Sequence, residues 1–380
     1  RKSRVLTSAA YVAAALAVAW GLDGILEHES QGMWRAMFLG ALMLLNALLA
    51  ARTSASRSIL RAGPSYFVLL ALAVWFGATW NNSGPDAFPL VIASEGLLLT
   101  LSIYLVALLE LALLGQSYVI IAHAAWFSLY WLGTRSLPPW PNAVLLMAIT
   151  LTLNHWWQRQ QKHIQAIPWI YRSLACALTI WWIAEYIPER ERIWVYALCG
   201  LGLLLLAWRS KTEPPLIFAA VFTLVWLVDF WAAPQIPSTV YFPNLLAIAA
   251  LLAEERLLAR LRGRSESIPH AATALLIAGC ATLWLFVSRA VLEQDAASWL
   301  TVSWSGLALV LFACGIRLRE RFYRWAGLVI LGCAMGRVLI VDVWKLDVIY
   351  RVLSFMALGI VLVALGFIYS KYQEKIREWL

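Results

Sequence analysis

Charge is what this sequence has least of. Asp, Glu, Lys and Arg make up 13% of its 380 residues, roughly half of the ~25% usual in a soluble globular domain. A chain so poor in charge cannot cover itself with an ordinary water-facing surface. Signatures of chemistry are missing too. No Walker loop, HExxH, GxSxG or dinucleotide fingerprint appears, so no motif-defined enzyme class is indicated. The five cysteines (Cys176, Cys199, Cys280, Cys314, Cys333) all lie in apolar runs without CxxC spacing. That excludes a zinc ribbon or dithiol motif and leaves packing. The five histidines (His28, His123, His155, His163, His270) scatter along the chain, which argues against paired haem ligands. No metal and no cofactor is expected.

What the sequence has in abundance is apolar length. It is 62% hydrophobic with a mean hydropathy of +0.74, and apolar runs of about 18 residues or more read as transmembrane helices. The fold class is therefore all-α, a polytopic integral membrane protein. Runs separated by charged or Pro/Gly breaks predict fourteen spans: 5–22, 34–51, 62–80, 88–107, 116–133, 141–157, 169–186, 192–208, 215–232, 241–260, 268–289, 297–316, 322–341 and 348–370. The least marked join lies at Glu110, where "LLELALLGQS" offers one charge and one Gly to make a turn. The chain opens on Arg-Lys-Ser-Arg without an initiating Met, so the numbering is expected to start inside a longer chain. Basic residues before an apolar run resemble a signal peptide, but no small-x-small cleavage site precedes Asp23. The first segment is read as a retained helix.

Basic residues accumulate on the cytoplasmic side of membrane proteins. With the N-terminus inside, 22 of the 30 Lys and Arg fall on the inner side and 8 on the outer. Acids divide as 8 inner and 13 outer, so the net charge is +14 inside and −5 outside. Both termini are thus expected in the cytoplasm, and the basic balance reflects topology and anionic lipid, not nucleic acid.

The whole chain, 1–380, reads as one transmembrane domain with hairpin units near 34–80, 88–133, 141–186, 192–232, 241–289 and 297–341, closed by a helix at 348–370. "GPSY" (63–66) and "GQSY" (115–118) each open an outward helix. "ASEGLLLTL" (93–101) and "SWSGLALVL" (303–311) occupy matching places in inward helices. Internal duplication would explain these likenesses, but so would the shared chemistry of alternating spans. Such hairpins can stand side by side in an arc or ring around a central cavity.

From Arg317 to Tyr372 the sequence carries a more specific pattern. A basic inner turn precedes an "RxxGL" helix, formed by Arg324, Gly327 and Leu328. There follow an outer Asp342, then Arg351, Ser354 and Phe355 as Arg-x-x-Ser-Phe, and a last helix with Gly359, Gly366 and Tyr369. This segment resembles the closing part of the bacterial membrane proteins catalogued as domain of unknown function 2339. "ASEGLLL" around Glu95 is similar to a recurrent Glu-Gly of that family. The resemblance implies a multi-pass protein of the bacterial inner membrane and no established activity.

Ionisable groups inside a span are costly and are functional candidates by default. Glu95 stands about seven residues into its span, roughly 10 Å deep at ~1.5 Å per residue. His123 lies at comparable depth in the next helix. If those helices touch, the two can share a proton; otherwise each simply fixes helix register. Near the C-terminus, Asp342, Lys345 and Asp347 fit an outer turn flanked by Arg337 and Arg351. Asp347 and Arg351 are spaced i,i+4 in the favourable order. Arg337 sits about a turn below the surface beside Gly332, Ala334 and Gly336, and needs a carboxylate, a lipid phosphate or water. Asp229, Glu185 and Glu95 are the carboxylates at that level. The candidate ligand-binding set is Glu95, His123, Asp229, Arg337, Asp342 and Arg351, with a buried salt bridge as the plain structural alternative.

By the same topology sixteen of the 22 Trp fall in the outer half. Aromatic belts mark both interfaces, so the excess suggests either packing or a flat-ringed wall for a sugar or lipid head. In the first outer loop, Asp23, Glu27, His28 and Glu29 come together. Asp23, Glu27 and Glu29 are weak catalytic candidates, since membrane glycosyltransferases place a base or metal-holding acid in that loop; a solvated acidic loop is the ordinary reading. Three functions remain open. The first is handling of an envelope lipid or lipid-linked glycan (transporting, flipping or presenting it) at an outward-facing Trp/acid/Arg site. The second is a non-catalytic scaffold with a membrane-protein partner. The third is a polyprenyl-sugar-dependent glycosyltransferase-like enzyme.

Overall fold

A computed structural model describes residues 2–26, 32–53, 60–133, 135–159, 166–210, 214–232, 241–260, 267–294, 296, 299–342 and 348–377. Among them every regular element is a helix. The chain divides into two compact units, Arg1–Tyr186 and Ile187–Leu380.

The first unit contains α1 (Lys2–Leu26), α2 (Gly32–Thr53), α3 (Ala62–Asn82), α4 (Phe88–Leu101), the short α5 (Ile103–Val106) and α6 (Leu109–Leu114), α7 (Gln116–Trp126), α8 (Trp140–Arg159) and α9 (Ala166–Tyr186). The second contains α10 (Glu189–Ser210), α11 (Pro214–Ala232), α12 (Tyr241–Arg260), α13 (Ser267–Glu293), α14 (Leu300–Arg317), α15 (Arg321–Arg337) and α16 (Val348–Arg377). A π-helical turn extends α7 over Phe127–Trp131 and another extends α15 over Val338–Asp342.

Proline sets many of the helix starts. Pro64, Pro89, Pro141, Pro168, Pro214, Pro243 and Pro269 all fall within the first turn of a helix. There the missing N–H has no intrahelical partner to lose and the fixed φ suits the helix. Each predicted span overlaps a helix, and among the described residues ten helical segments are long and apolar enough to cross a membrane. Those ten do not include α8, α12, α15 or α16. Of these, α12 carries Glu254, Glu255 and Arg256 in its second half, and α15 has only 17 residues.

Packing joins α2 with α3, α4 with α7 and α8 with α9 in the first unit. In the second it joins α10 with α11, α12 with α13 and α14 with α15. The α14–α15 turn is tight. Arg319 sits in the left-handed region at φ 56°, where a glycine is common, and the Glu320 N–H returns to the Gly315 carbonyl at 3.0 Å. Beyond it the helices come close because of two glycines. A Cβ on Gly315 would stand 2.6 Å from Arg324 Cγ, and one on Gly327 would stand 2.8 Å from the Ala308 carbonyl oxygen. The latter neighbour is backbone and cannot rotate away. Gly327→Val is therefore expected to destabilise the hairpin by about 1–3 kcal/mol through overpacking. The check is a thermal melt in detergent, with Gly332→Val as control because nothing lies near a Cβ at Gly332.

Candidate functional site

The polar interior of the first unit is built around α4. Its sequence "ASEGLLLT" places Gly96 next to Glu95, and a Cβ on Gly96 would stand 2.7 Å from Val119 Cγ2. This glycine lets α7 approach α4. On the other side, Thr79 of α3 donates its hydroxyl to Glu95 Oε1 at 2.5 Å. Glu95 Oε2 is enclosed and has no hydrogen-bond partner among the described residues. Among the described residues Glu95 is thus held through one oxygen only.

Beside this carboxylate is a cavity of about 470 Å³ bounded by α2, α3, α4 and α7. Its polar lining is Thr79, Asn82, Ser83 and Glu95; apolar walls come from Met33, Met37, Trp75, Val91 and Leu98. Tyr118 also lines it, but its hydroxyl is committed to the Leu72 carbonyl at 2.6 Å. A mainly apolar cavity with a few convergent polar groups is the usual form of a small-ligand site.

His123 belongs to a different set of contacts. Buried at 1% exposure, its Nδ1 meets the Val119 carbonyl at 2.8 Å and its Nε2 lies 3.2 Å from Thr150 Oγ1 on α8. Although α4 and α7 pack together, Glu95 bonds toward α3 while His123 bonds within α7 and toward α8.

The other candidates are dispersed. Arg337 donates from Nη1 to the buried Thr301 hydroxyl at 2.5 Å, joining α15 to α14. Asp229 is exposed near the end of α11, within electrostatic reach of Arg192 and Glu189. Glu185 is exposed near the end of α9 in the first unit, whereas Arg337 and Asp229 belong to the second. Asp23 is exposed in the last turn of α1. Glu27, His28, Glu29, Lys345 and Asp347 lie outside the described residues, as do the side chains of Asp342 and Arg351.

Several polar groups inside the helices were not singled out from sequence. Arg289 on α13 donates to the Phe230 and Trp231 carbonyls at 2.7 and 3.1 Å, a cation on the exposed C-terminal carbonyls of α11. Glu254 and Glu255 are 2% and 0% exposed on α12. Two successive acids inside an apolar run are the sequence signal for a buried site.

Tryptophan divides by environment. Trp126 and Trp226 are 0% exposed and belong to packing, while Trp20, Trp34, Trp80, Trp131 and Trp140 are open, near helix ends, as an interfacial belt requires. A third setting is that of Trp75, which lines the Glu95 cavity.

Long apolar helices enclosing buried charge and an acid-bearing cavity define a polytopic helical membrane protein. Over residues 2–372 the chain matches the family of predicted membrane proteins called domain of unknown function 2339. It belongs to that family, and the match reaches far beyond the C-terminal segment that first suggested it. No curated protein and no solved structure matches it.

Proposed function

We propose that this is a bacterial inner-membrane protein that handles an envelope lipid or lipid-linked glycan, taking its head group beside Glu95. In this reading the chain crosses the membrane fourteen times with both termini in the cytoplasm, which puts Asn82, Ser83 and Glu95 toward the outer surface. The observation that carries it is the cavity of about 470 Å³, greasy along Trp75, Met37 and Leu98 and polar at Thr79, Asn82, Ser83 and Glu95. An amphiphile matches both halves. Glu95 is the carboxyl group on the cavity lining, and a carboxylate accepts hydrogen bonds, which sugar hydroxyls donate and a bare phosphate does not.

The test is to purify the chain in native lipid and identify co-purifying lipids by mass spectrometry. Wild type is expected to retain a glycosylated or polyhydroxylated lipid. A hydrogen bond to a charged group is worth about 1.5–3 kcal/mol, so Glu95→Ala should lower that recovery about tenfold or more. Met37→Trp, which narrows the cavity from an exposed wall, should lower it as well. Equal recovery from all three proteins would sink the lipid reading and leave a membrane scaffold.

A further inference from the structure

The second unit holds a buried carboxylate that the Glu95 cavity does not use. Glu254 on α12 is 2% exposed. Its Oε2 lies 2.7 Å from the Thr223 hydroxyl on α11, and its Oε1 has no hydrogen-bond partner among the described residues. Oε1 points into a cradle on α10: a Cβ on Gly200 would stand 2.8 Å from it, 3.0 Å from Thr223 Oγ1 and 3.4 Å from the Ala219 carbonyl. Any larger residue at 200 would occupy the space the carboxyl group fills.

A proton count around Thr223 accommodates a neutral acid here. Thr223 Oγ1 is 3.0 Å from the Ala219 carbonyl and 2.7 Å from Glu254. A hydroxyl has one proton to donate. If that proton goes to the carbonyl, the Glu254 contact needs a proton of its own, supplied by a carboxylic acid O–H donating to Thr223 Oγ1. The chain Glu254 to Thr223 to Ala219 is then complete, and no bare charge is buried. An ionised carboxylate here would forgo compensation that burial requires.

Titratable and charged neighbours stand on each helix packed against Glu254. Cys199 and Tyr196 are the titratable residues beside Gly200 on α10, and Thr223 is the polar group on α11. Cys280 on α13 interacts with Glu255. Arg256, two residues on, lies about 200° around the helix from Glu254 at ~100° per residue. It is engaged with Glu255 at 3.3 Å, Glu320 at 3.7 Å and the Tyr323 ring at 5.4 Å.

We infer that Glu254, with Thr223 and the Gly200 cradle, is a reversible proton-binding site buried among α10, α11 and α12 of the second unit. The 2.7 Å oxygen–oxygen separation is a hydrogen-bond length. Loss of the proton strands a charge in the α10–α11–α12 contact, so deprotonation and opening of that contact are one event. This gives the protein a means of coupling a proton to a change in helix packing, whether or not the Glu95 cavity binds lipid.

The experiment is infrared difference spectroscopy of the full chain in lipid, following the carbonyl stretch of protonated carboxyl groups through a pH titration. Wild type should show a protonated-acid band at neutral pH that disappears as pH rises. Glu254→Gln, close in shape and still able to donate to Thr223, should remove that band. Thr223→Val should shift it by deleting its hydrogen-bond partner, a check that does not depend on changing the acid. Adding sodium should leave it unchanged. A neutral-pH spectrum identical in wild type and Glu254→Gln overturns the inference, because the group is then ionised. A band abolished by sodium overturns it as well, in favour of a cation site. Neither result bears on lipid recovery at Glu95.

Discussion

Removing either member of the Arg61–Glu110 pair should cost about 3 kcal/mol or more of stability, whereas removing both together should cost far less. Arg61, just ahead of α3, donates from Nε and Nη2 to the two Glu110 oxygens at 2.6 and 3.0 Å, a bidentate contact. Its Nη1 donates to the Ala51 carbonyl at 3.1 Å. Glu110 is 0% exposed, in the first turn of α6. Breaking a buried pair by deleting one partner leaves an uncompensated charge and typically costs about 3–5 kcal/mol. Because the Arg61 side chain keeps 23% exposure, the lower end applies. Replacing both by apolar residues removes the stranded charge along with the pair and should recover most of the loss. Denaturant or thermal unfolding of Arg61→Met, Glu110→Leu and the double variant in one detergent gives the cycle. Additive losses would show that the two groups act separately.

The second large effect is expected at Gln116, at the start of α7. Its amide uses its full hydrogen-bonding capacity of two donors and two acceptor sites. The nitrogen donates to Thr100 Oγ1 of α4 at 2.8 Å and to the Ala112 carbonyl. The oxygen accepts from Trp157 Nε1 of α8 at 3.0 Å and from the Tyr171 hydroxyl of α9. One side chain thus ties α7 to α4, α6, α8 and α9 at a buried point. Gln116→Leu preserves much of the volume but orphans the Trp157 N–H and the Tyr171 O–H, both 2% exposed. At about 1–3 kcal/mol for each buried unsatisfied group, a loss of roughly 2–6 kcal/mol should follow. Combining it with Trp157→Phe removes one orphan and should return part of that loss; a further decrease would contradict this account.

Membrane class and helix placement were legible in the residues themselves because both arise from interactions local along the chain. Apolar runs long enough to span a bilayer, and prolines such as Pro89 and Pro141 that tolerate only a first turn, act without reference to distant neighbours. The join at Glu110 was legible as a break, and the chain does break there, with Ala107 at φ 51° between α5 and α6. That Glu110 is a buried anchor for Arg61, 49 residues earlier, was not, because a lone acid in an apolar stretch looks the same whether it ends a helix or pairs across the fold.

Glu95 and His123 show the same divide. Their places on neighbouring long helices followed from counting, and α4 does pack on α7. Which way each side chain turns depends on how each helix is rotated about its own axis, at ~100° per residue. That rotation is set by close contacts such as Gly96 against Val119. It directs Glu95 to Thr79 and His123 to Thr150. Likewise composition sufficed to find an excess of tryptophan, but packing alone separated Trp126 in the core from Trp80 at the edge and Trp75 on the cavity wall. The sequence by itself determined that this chain is a many-helix membrane protein and where its helices begin, since hydropathy and turn chemistry are short-range. The tertiary structure decided which buried polar groups meet, since a hydrogen bond forms over about 3 Å between residues brought together only when helices from distant parts of the chain pack.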